Sequence, residues 1–377
     1  MTFDLSLEPH QEELQRAAQS LFAQRCPRTT VRDVEAGEAG YLADLWQEMA
    51  ELGWLGLALP AEYGGGGGGY LDLYVLNEEM GRFMVPGPHL DTVGVAADLI
   101  LAAGTEEQKS SVLPAISAGR TIVSVASFEA GGVFDPSGIA TTAVAGGGGW
   151  SISGEKLLVC FAEAADLLLV TARSGGKGAE GITVFLVDAK APGITLERLP
   201  NVAGSPMYAV GFSGVTVPAS AVVGEAGAGW PAFSRSATKA ALLQTATIVG
   251  AAREVLAMTN QYAKDREQFG QPIGVHQAVQ YMVSDILIAL HTMDVLAKHA
   301  AYRVETGRSW EREAAMAVAH GKRAAAHLHR QAHEVHAGMG FMQEYDLQLF
   351  SRRSKLWENH LGDARHYDEL VLKSMSL

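Results

Sequence analysis

Near the end of this 377-residue chain, the stretch KLWENHLGDARH, Lys355 to His366, sets two carboxylates, two histidines and an arginine beside a glycine. These are the residue types of general acid/base chemistry, which needs a titratable side chain within hydrogen-bond reach of the proton it moves. The carboxylates are Glu358 and Asp363. Both also read as ordinary solvated or salt-bridged surface acids, so the stretch alone leaves the two readings open. A second cluster lies in YAKDREQFGQPIGVHQAVQ, Tyr262 to Gln280. A helix stop followed by a new helix explains Phe269, Gly270 and Pro272 there. It does not explain why Arg266, Gln268 and Gln277 gather at the same turn.

The elements that must position these residues follow from periodicity. From about Pro9 to Ala118 the pattern is helical. Leu14, Ala17, Ala18, Leu21 and Phe22 share one face, and Leu42–Leu52, Leu71–Phe83 and Asp91–Ala103 read as further helices. GTEEQKSSVLPAI is expected to start with Thr105 as N-cap and acids in its first turn. The six glycines Gly64–Gly69 predict a mobile loop. From Thr121 to about Gly227 the segments are short, β-branched and divided by glycine-rich turns, which predicts an antiparallel sheet or barrel. From Pro231 on, long helices return. Val279, Met282, Val283, Ile286, Leu287, Leu290 and Met293 form an apolar stripe that predicts a bundle core. The domains expected are 1–120 helical, 121–228 β and 229–377 helical, an α+β organisation.

Composition narrows the function classes. Hydrophobic residues make up 48% and charged residues 19%, enough for a large core. A net charge of −13 without a basic run disfavours nucleic acid and anionic membranes as partners. Cys26 and Cys160 form no metal-ligand pattern, and so few cysteines suit a reducing cytoplasm. The acidic start reads as no signal peptide, and no apolar run suggests membrane insertion. No GxGxxG opens a helix after a strand, so a Rossmann cofactor site is not expected.

The Tyr262–Gln280 segment resembles the acyl-CoA dehydrogenase family, with its R-x-Q-F-G-x-P-I pattern and following glutamines. LPAEYGGGG, GTEEQKSSVLPAISAG, WSISGEKLLV, GFSGVTVPASAVVGEAGAGW and HAGMGFMQEYDLQLFSRRSK resemble further family motifs in the family's order, across nearly the whole chain. The resemblance implies an N-terminal all-α domain, a middle antiparallel β-barrel domain and a C-terminal four-helix bundle, usually in a tetramer. It implies noncovalent FAD, an acyl-CoA thioester substrate and an electron-transfer flavoprotein or similar acceptor. It also implies a reaction in which a glutamate removes the α-proton, the flavin takes the β-hydride and a 2-enoyl-CoA is formed, as in fatty acid or lipid degradation.

Carried over residue by residue, Arg266 matches the arginine that meets the FAD pyrophosphate of an adjacent subunit, a task suited to a guanidinium fork. Gln268 and Phe269 match residues near the adenine end, and Gln277 the helix facing the same dinucleotide. His336, Gly338 and Gly340 match a glycine-containing turn over the cofactor. The first flavin loop reads SFEAGGVFD, Ser127 to Asp135, and departs from the family pattern. Where the family's Trp-Ile-Thr/Ser strand touches the flavin, this chain has Leu158, Val159 and Cys160, so Cys160 is a candidate flavin neighbour.

The family base is missing from both of its usual places. Counting from Gly340 puts Leu361 where many members carry the catalytic Glu, just before Gly362. A second subgroup carries its base on the first C-terminal helix, and Trp230–Arg253 contains no Asp or Glu. Two readings follow. Asp363 or Glu358 substitutes as the base, or the chain is a base-less FAD/CoA-binding subunit that joins a related catalytic chain in a heterotetramer.

Overall fold

The computed structural model describes residues 6–375. Helices α1 (Pro9–Arg25), α2 (Arg28–Ala36), α3 (Ala43–Glu51), α4 (Tyr70–Phe83), α5 (Asp98–Ala103) and α6 (Glu106–Ser117) come first. Strands β1 (Val123–Ala126), β2 (Thr142–Gly146), β3 (Gly149–Cys160), β4 (Leu167–Arg173), β5 (Ile182–Asp188), β6 (Ile194–Leu199), β7 (Met207–Pro218) and β8 (Val222–Val223) follow. Then come α7 (Trp230–Asp265), the short hairpin β9 (Glu267–Gln268) and β10 (Gln271–Pro272), and α8 (Gln277–Glu305), α9 (Glu311–His336), α10 (Leu347–Trp357) and α11 (Ala364–Ser374). The helical, β, helical order is the one the sequence predicts.

By contacts the chain forms two compact units. The first comprises Met1–Arg32, Tyr70–Val85 and Ala241–Leu377. In it α9 packs on α8, α10 and α11, and α4 packs on α1 and α8. Helices α4 and α7 cross where neither has a side chain. A Cβ on Gly81 would lie 1.9 Å from the Thr247 carbonyl oxygen, and one on Gly250 would lie 1.7 Å from that of Glu78. Only glycine permits that approach. Beside the crossing, Arg253 of α7 donates to Glu78 and Asp294, both at 2.7 Å, tying α4, α7 and α8 together. The predicted stripe on α8 is only partly core. Ile286, Leu290 and Met293 are buried, whereas Leu287 is exposed, with Tyr281, Ile288 and Val295.

The second unit comprises Asp33–Gly69 and Pro86–Ala240 and holds the sheet, ordered β6-β7-β3-β2-β4-β5-β8. The sheet is not purely antiparallel as expected: β1 pairs with β4 in parallel. The intervening β2–β3 hairpin supplies the long crossover that parallel neighbours need. The helix expected over Asp91–Ala103 begins as a π-helix, Leu90–Ala97. Its side chains bond to β1. Asp91 accepts from the Val125 amide at 3.2 Å, and the Thr92 hydroxyl both donates to the Val123 carbonyl and accepts from its amide.

The glycine run is not a free loop either. The amides of Gly65, Gly66, Gly67 and Gly68 donate to carbonyls of Pro60, Gly56, Leu59 and Leu57. A Cβ at Gly65 would sit 1.9 Å from the Leu59 oxygen. The glycines are there to let two backbones touch. The Thr105 N-cap is present as expected, in a reciprocal capping box with Gln108.

Candidate active site

The turn at which sequence reading expects the missing base lies in the first unit, between α10 and α11. Leu361 adopts a left-handed conformation, φ 56°, and is 4% exposed. A left-handed residue at the end of a helix is usually glycine, and a branched side chain there costs about 1–2 kcal/mol. Partners hold the turn regardless. The Tyr367 hydroxyl donates to the Leu361 carbonyl at 2.5 Å, and Lys322 Nζ donates to the carbonyls of Trp357 at 2.8 Å and His360 at 2.9 Å.

Both acids singled out in the sequence have structural partners here. Asp363 is the N-cap of α11, accepting from the His366 amide at 2.9 Å. Glu358 accepts from Lys355 at 2.9 and 3.0 Å and from Ser354 at 3.1 Å. The acid-free segment of α7 contributes Gln244, whose Nε2 lies 3.2 Å from His360 Nδ1. In the second unit, Asp98 of α5 binds Ser236 at 2.5 Å and Lys239 at 2.7 Å on the start of α7. A carboxylate therefore reaches the Trp230–Arg253 stretch of α7, which has none of its own.

Lys322, Gln244 and Asp98 were not singled out by sequence reasoning. The available signal for Lys322 is its place on a helix face with Val318, Ala325 and His329, all of them buried. Burial pulls the Lys322 amine down to about 7, against the upward pull of the Asp363 and Glu358 charges.

The predicted cofactor residues fall into two groups. Arg266, Gln268 and Phe269 sit together on the β9–β10 hairpin, with Gln277 exposed at the start of α8. Phe269 is 93% exposed with φ 56°. Gln268 donates to the Glu267 carbonyl and Gln277 to the Tyr281 hydroxyl. An outward aromatic face beside an exposed guanidinium and two amides fits a ligand with a planar base and phosphates. His336 is instead buried. It stacks on Tyr262 with centroids 4.4 Å apart and bonds the Ala332 carbonyl through Nδ1. It therefore supports the turn below the hairpin from inside. Gly338 is open, with nothing within 4 Å of a Cβ, whereas a Cβ on Gly340 would press on His333 at 2.8 Å.

In the second unit, Cys160 ends β3 after a register shift between Lys156 and Val159. Leu158, φ 55°, re-aims the strand there, so Leu158 is exposed and Cys160 buried. Burial, with a smaller contribution from Asp91, pushes the thiol well up, so Cys160 is a neutral SH group. The loop Ser127–Asp135 is tied to the same strand by Glu129. Its carboxylate accepts from Lys156 at 2.6 Å and from the amides of Ala140 and Thr141. Burial pushes Glu129 up, but Lys156 and the two amides outweigh that and hold it low; burial pulls Lys156 down to about 8.

Comparison with known proteins agrees with this layout. Residues 8–120 match the acyl-CoA dehydrogenase N-terminal domain, 124–215 the middle domain and 227–363 the C-terminal domain. The chain is 30% identical over 321 residues to "Probable acyl-CoA dehydrogenase YngJ" of Bacillus subtilis (strain 168), spanning 83% of this chain and 84% of that one. It superposes on a chain of the ChsE4-ChsE5 complex from Mycobacterium tuberculosis with a TM-score of 0.90, at 25% identity over 99% of each chain. A chain of the Tcur3481-Tcur3483 steroid ACAD is similar at TM-score 0.87 and 30% identity, over 98% of this chain and 99% of that one. The chain belongs to the acyl-CoA dehydrogenase family. Its function is the family's: flavin-dependent α,β-dehydrogenation of an acyl-CoA thioester, an oxidation of a CH–CH group.

Proposed function

We propose that this chain binds FAD noncovalently and works in a hetero-oligomer with a related chain that supplies the catalytic carboxylate. The observation that carries this reading is Leu361: a buried leucine in the base position, with Asp363 engaged as a helix cap and Glu358 in a salt bridge. The relatives support it, since two of the similar structures are two-protein assemblies by name. The exposed apolar face of α8, with Tyr281, Leu287, Ile288 and Val295, is suited to burial against neighbouring chains.

Arg266 would hold the pyrophosphate with its fork and Phe269 would stack at the adenine end, both offered to the flavin of a neighbouring chain. Cys160 and the Ser127–Asp135 loop would line the flavin ring, with Cys160 as a small neutral neighbour. The flavin supplies the hydride acceptor; this chain orients it and excludes water. The acyl group is a bulky one, as the steroid relative suggests, and electrons pass to a flavoprotein carrier in the cytoplasm. The test is to purify the chain alone and with a related chain carrying the Glu. Bound flavin and acyl-CoA-dependent reduction of an artificial acceptor are then measured over a panel of thioesters. The reading requires slow or absent turnover alone and activity in the mixed assembly. Fast turnover by the chain alone refutes it.

A further inference from the structure

The first unit holds a small cavity where the segment entering α1 meets α4 and α8. Its volume is about 30 Å³, and its walls include Leu7 and Gln11, Leu71 and Tyr74 of α4, and Lys298 and Tyr302 of α8. Two of these side chains bring hydrogen-bonding groups that the fold does not use up. Tyr74 is 1% exposed, and its hydroxyl has no hydrogen-bond partner among the described residues. Burying a hydroxyl without a partner is costly, and native folds rarely do it. Lys298 is the second. Its Nζ lies 3.0 and 3.3 Å from the two oxygens of Asp294 and 3.9 Å from Glu78 Oε2, the last too far for a hydrogen bond. An ammonium has three N–H donors. The Asp294 carboxylate takes at most two of them, so at least one is left over.

The chemistry of the walls narrows what the cavity takes. Lys298 belongs to a cluster of four charges in which Arg253 donates to both Glu78 and Asp294 at 2.7 Å. Two acids are matched by two bases, so the cluster calls for no further ion, and an ammonium on the wall repels a cation. Burial, with the Glu78 and Asp294 charges, keeps the Tyr74 phenol protonated, so it both donates and accepts. An apolar occupant would leave the hydroxyl and the N–H without partners. A water needs about 10–15 Å³ of such a cavity and two to four polar partners. Tyr74 and Lys298 supply that minimum.

We propose that this cavity is a specific hydration site, in which an ordered water accepts from Lys298 Nζ and bridges it to the Tyr74 hydroxyl. The water links a side chain of α4 to one of α8 and gives the charge cluster a neutral neighbour inside the fold. Gln11 of α1 walls the site without competing for the water. Its Nε2 donates to Asp72 at 3.0 Å and its Oε1 accepts from the Glu8 amide at 3.1 Å. The site does not depend on the dehydrogenase reading above.

The experiment uses the assembled flavoprotein. In a crystal structure that resolves ordered solvent, a water should lie within about 3.2 Å of both Tyr74 Oη and Lys298 Nζ. Tyr74→Phe tests the bridge in solution through the sign of its effect, since only the hydroxyl is lost. If the hydroxyl is bridged, Phe removes a hydrogen bond and leaves the water short of a partner, so the urea midpoint should fall. If the hydroxyl has no partner, Phe removes a buried unsatisfied group, and the midpoint should hold or rise. Lys298→Met removes the other end of the bridge, so Tyr74→Phe should lower the midpoint less in that background than in the wild type. No solvent density between the two groups, or an ion or additive in its place, overturns the proposal. So does a midpoint that holds or rises in Tyr74→Phe, or an undiminished fall in the Lys298→Met background. If Lys298→Met does not assemble, the sign of the Tyr74→Phe effect decides.

Discussion

Lys156→Met should unfasten the loop Ser127–Asp135. Lys156 is 0% exposed, and its Nζ lies 2.6 Å from Glu129 Oε1 and 3.2 Å from the Thr171 hydroxyl. At an effective dielectric of about 20, that charge separation is worth about 6 kcal/mol of gross attraction, most of it offset by desolvation. Removing the lysine leaves Glu129 with only the Ala140 and Thr141 amides, at 2.8 and 3.1 Å. Breaking one side of a buried pair costs about 3–5 kcal/mol. Urea unfolding at pH 7 measures it, and flavin retained after gel filtration reports whether the loop still closes. The pH profile gives a second check. Lys156 has a folded pKa of about 8, below its unfolded value of 10.5. The folded state therefore binds fewer protons in that window, and wild-type stability should gain an increment as pH rises from about 8 to 10.5. Lys156→Met should lack that increment. A loss below about 1 kcal/mol, with full flavin retention, would refute a fastening role for the pair.

Arg266→Ala should reduce flavin content and shift the oligomer to smaller species in sedimentation, because pyrophosphate charge would lose its fork; normal content and size would remove Arg266 from the cofactor site. Leu361→Glu should raise thioester-dependent flavin reduction by the chain alone about 10²–10⁴-fold, the usual scale of a general base, read by anaerobic stopped flow; no gain would show that position 361 does not face the substrate. Asp363→Asn should leave both stability and rate close to wild type, since Asn caps as well as Asp, whereas Asp363→Ala should cost about 1 kcal/mol in urea unfolding; a large rate loss in Asp363→Asn would name it the base. Gly65→Ala should destabilise the protein in thermal melts, because its Cβ would lie 1.9 Å from the Leu59 carbonyl oxygen, a backbone atom; an unchanged melt would restore the mobile-loop picture.

Local signals in the sequence were the ones that survived. The Thr105–Gln108 capping box is written in four adjacent residues, and the structure forms it. The β-branched segments became strands, and the family motifs stood in family order. What periodicity could not supply was partnership at long range. Gly64–Gly69 reads as flexible because glycine permits many conformations, yet its amides answer carbonyls in Gly56–Pro60. Leu287 fits a helical stripe and still faces outward, because the stripe does not say which side another chain covers. Gln244 and His360 are 116 residues apart, and only the packing of α7 against the α10–α11 turn makes them neighbours. Sequence reasoning drew attention to the turn through an expected acid that is absent, but not to the lysine beneath it, which is 38 residues upstream of His360.

The missing acid and the buried lysine bear on each other. A lysine 3% exposed with no carboxylate in hydrogen-bond contact is a costly arrangement, since burial disfavours its charge. The structure offsets part of that cost with carbonyls at the C-terminal end of α10, where the helix dipole presents negative charge. Those carbonyls would otherwise be left without donors as the chain bends into the left-handed Leu361. Lys322 thus fixes a turn that Leu361 strains, and the strain and the lysine belong to one device. A glutamate at 361 would put a carboxylate into the same turn, and a negative charge near Lys322 would favour its ammonium form. The leucine adds no charge of its own to the turn, and burial holds Lys322 down to about 7 while its Nζ ties the carbonyls of Trp357 and His360.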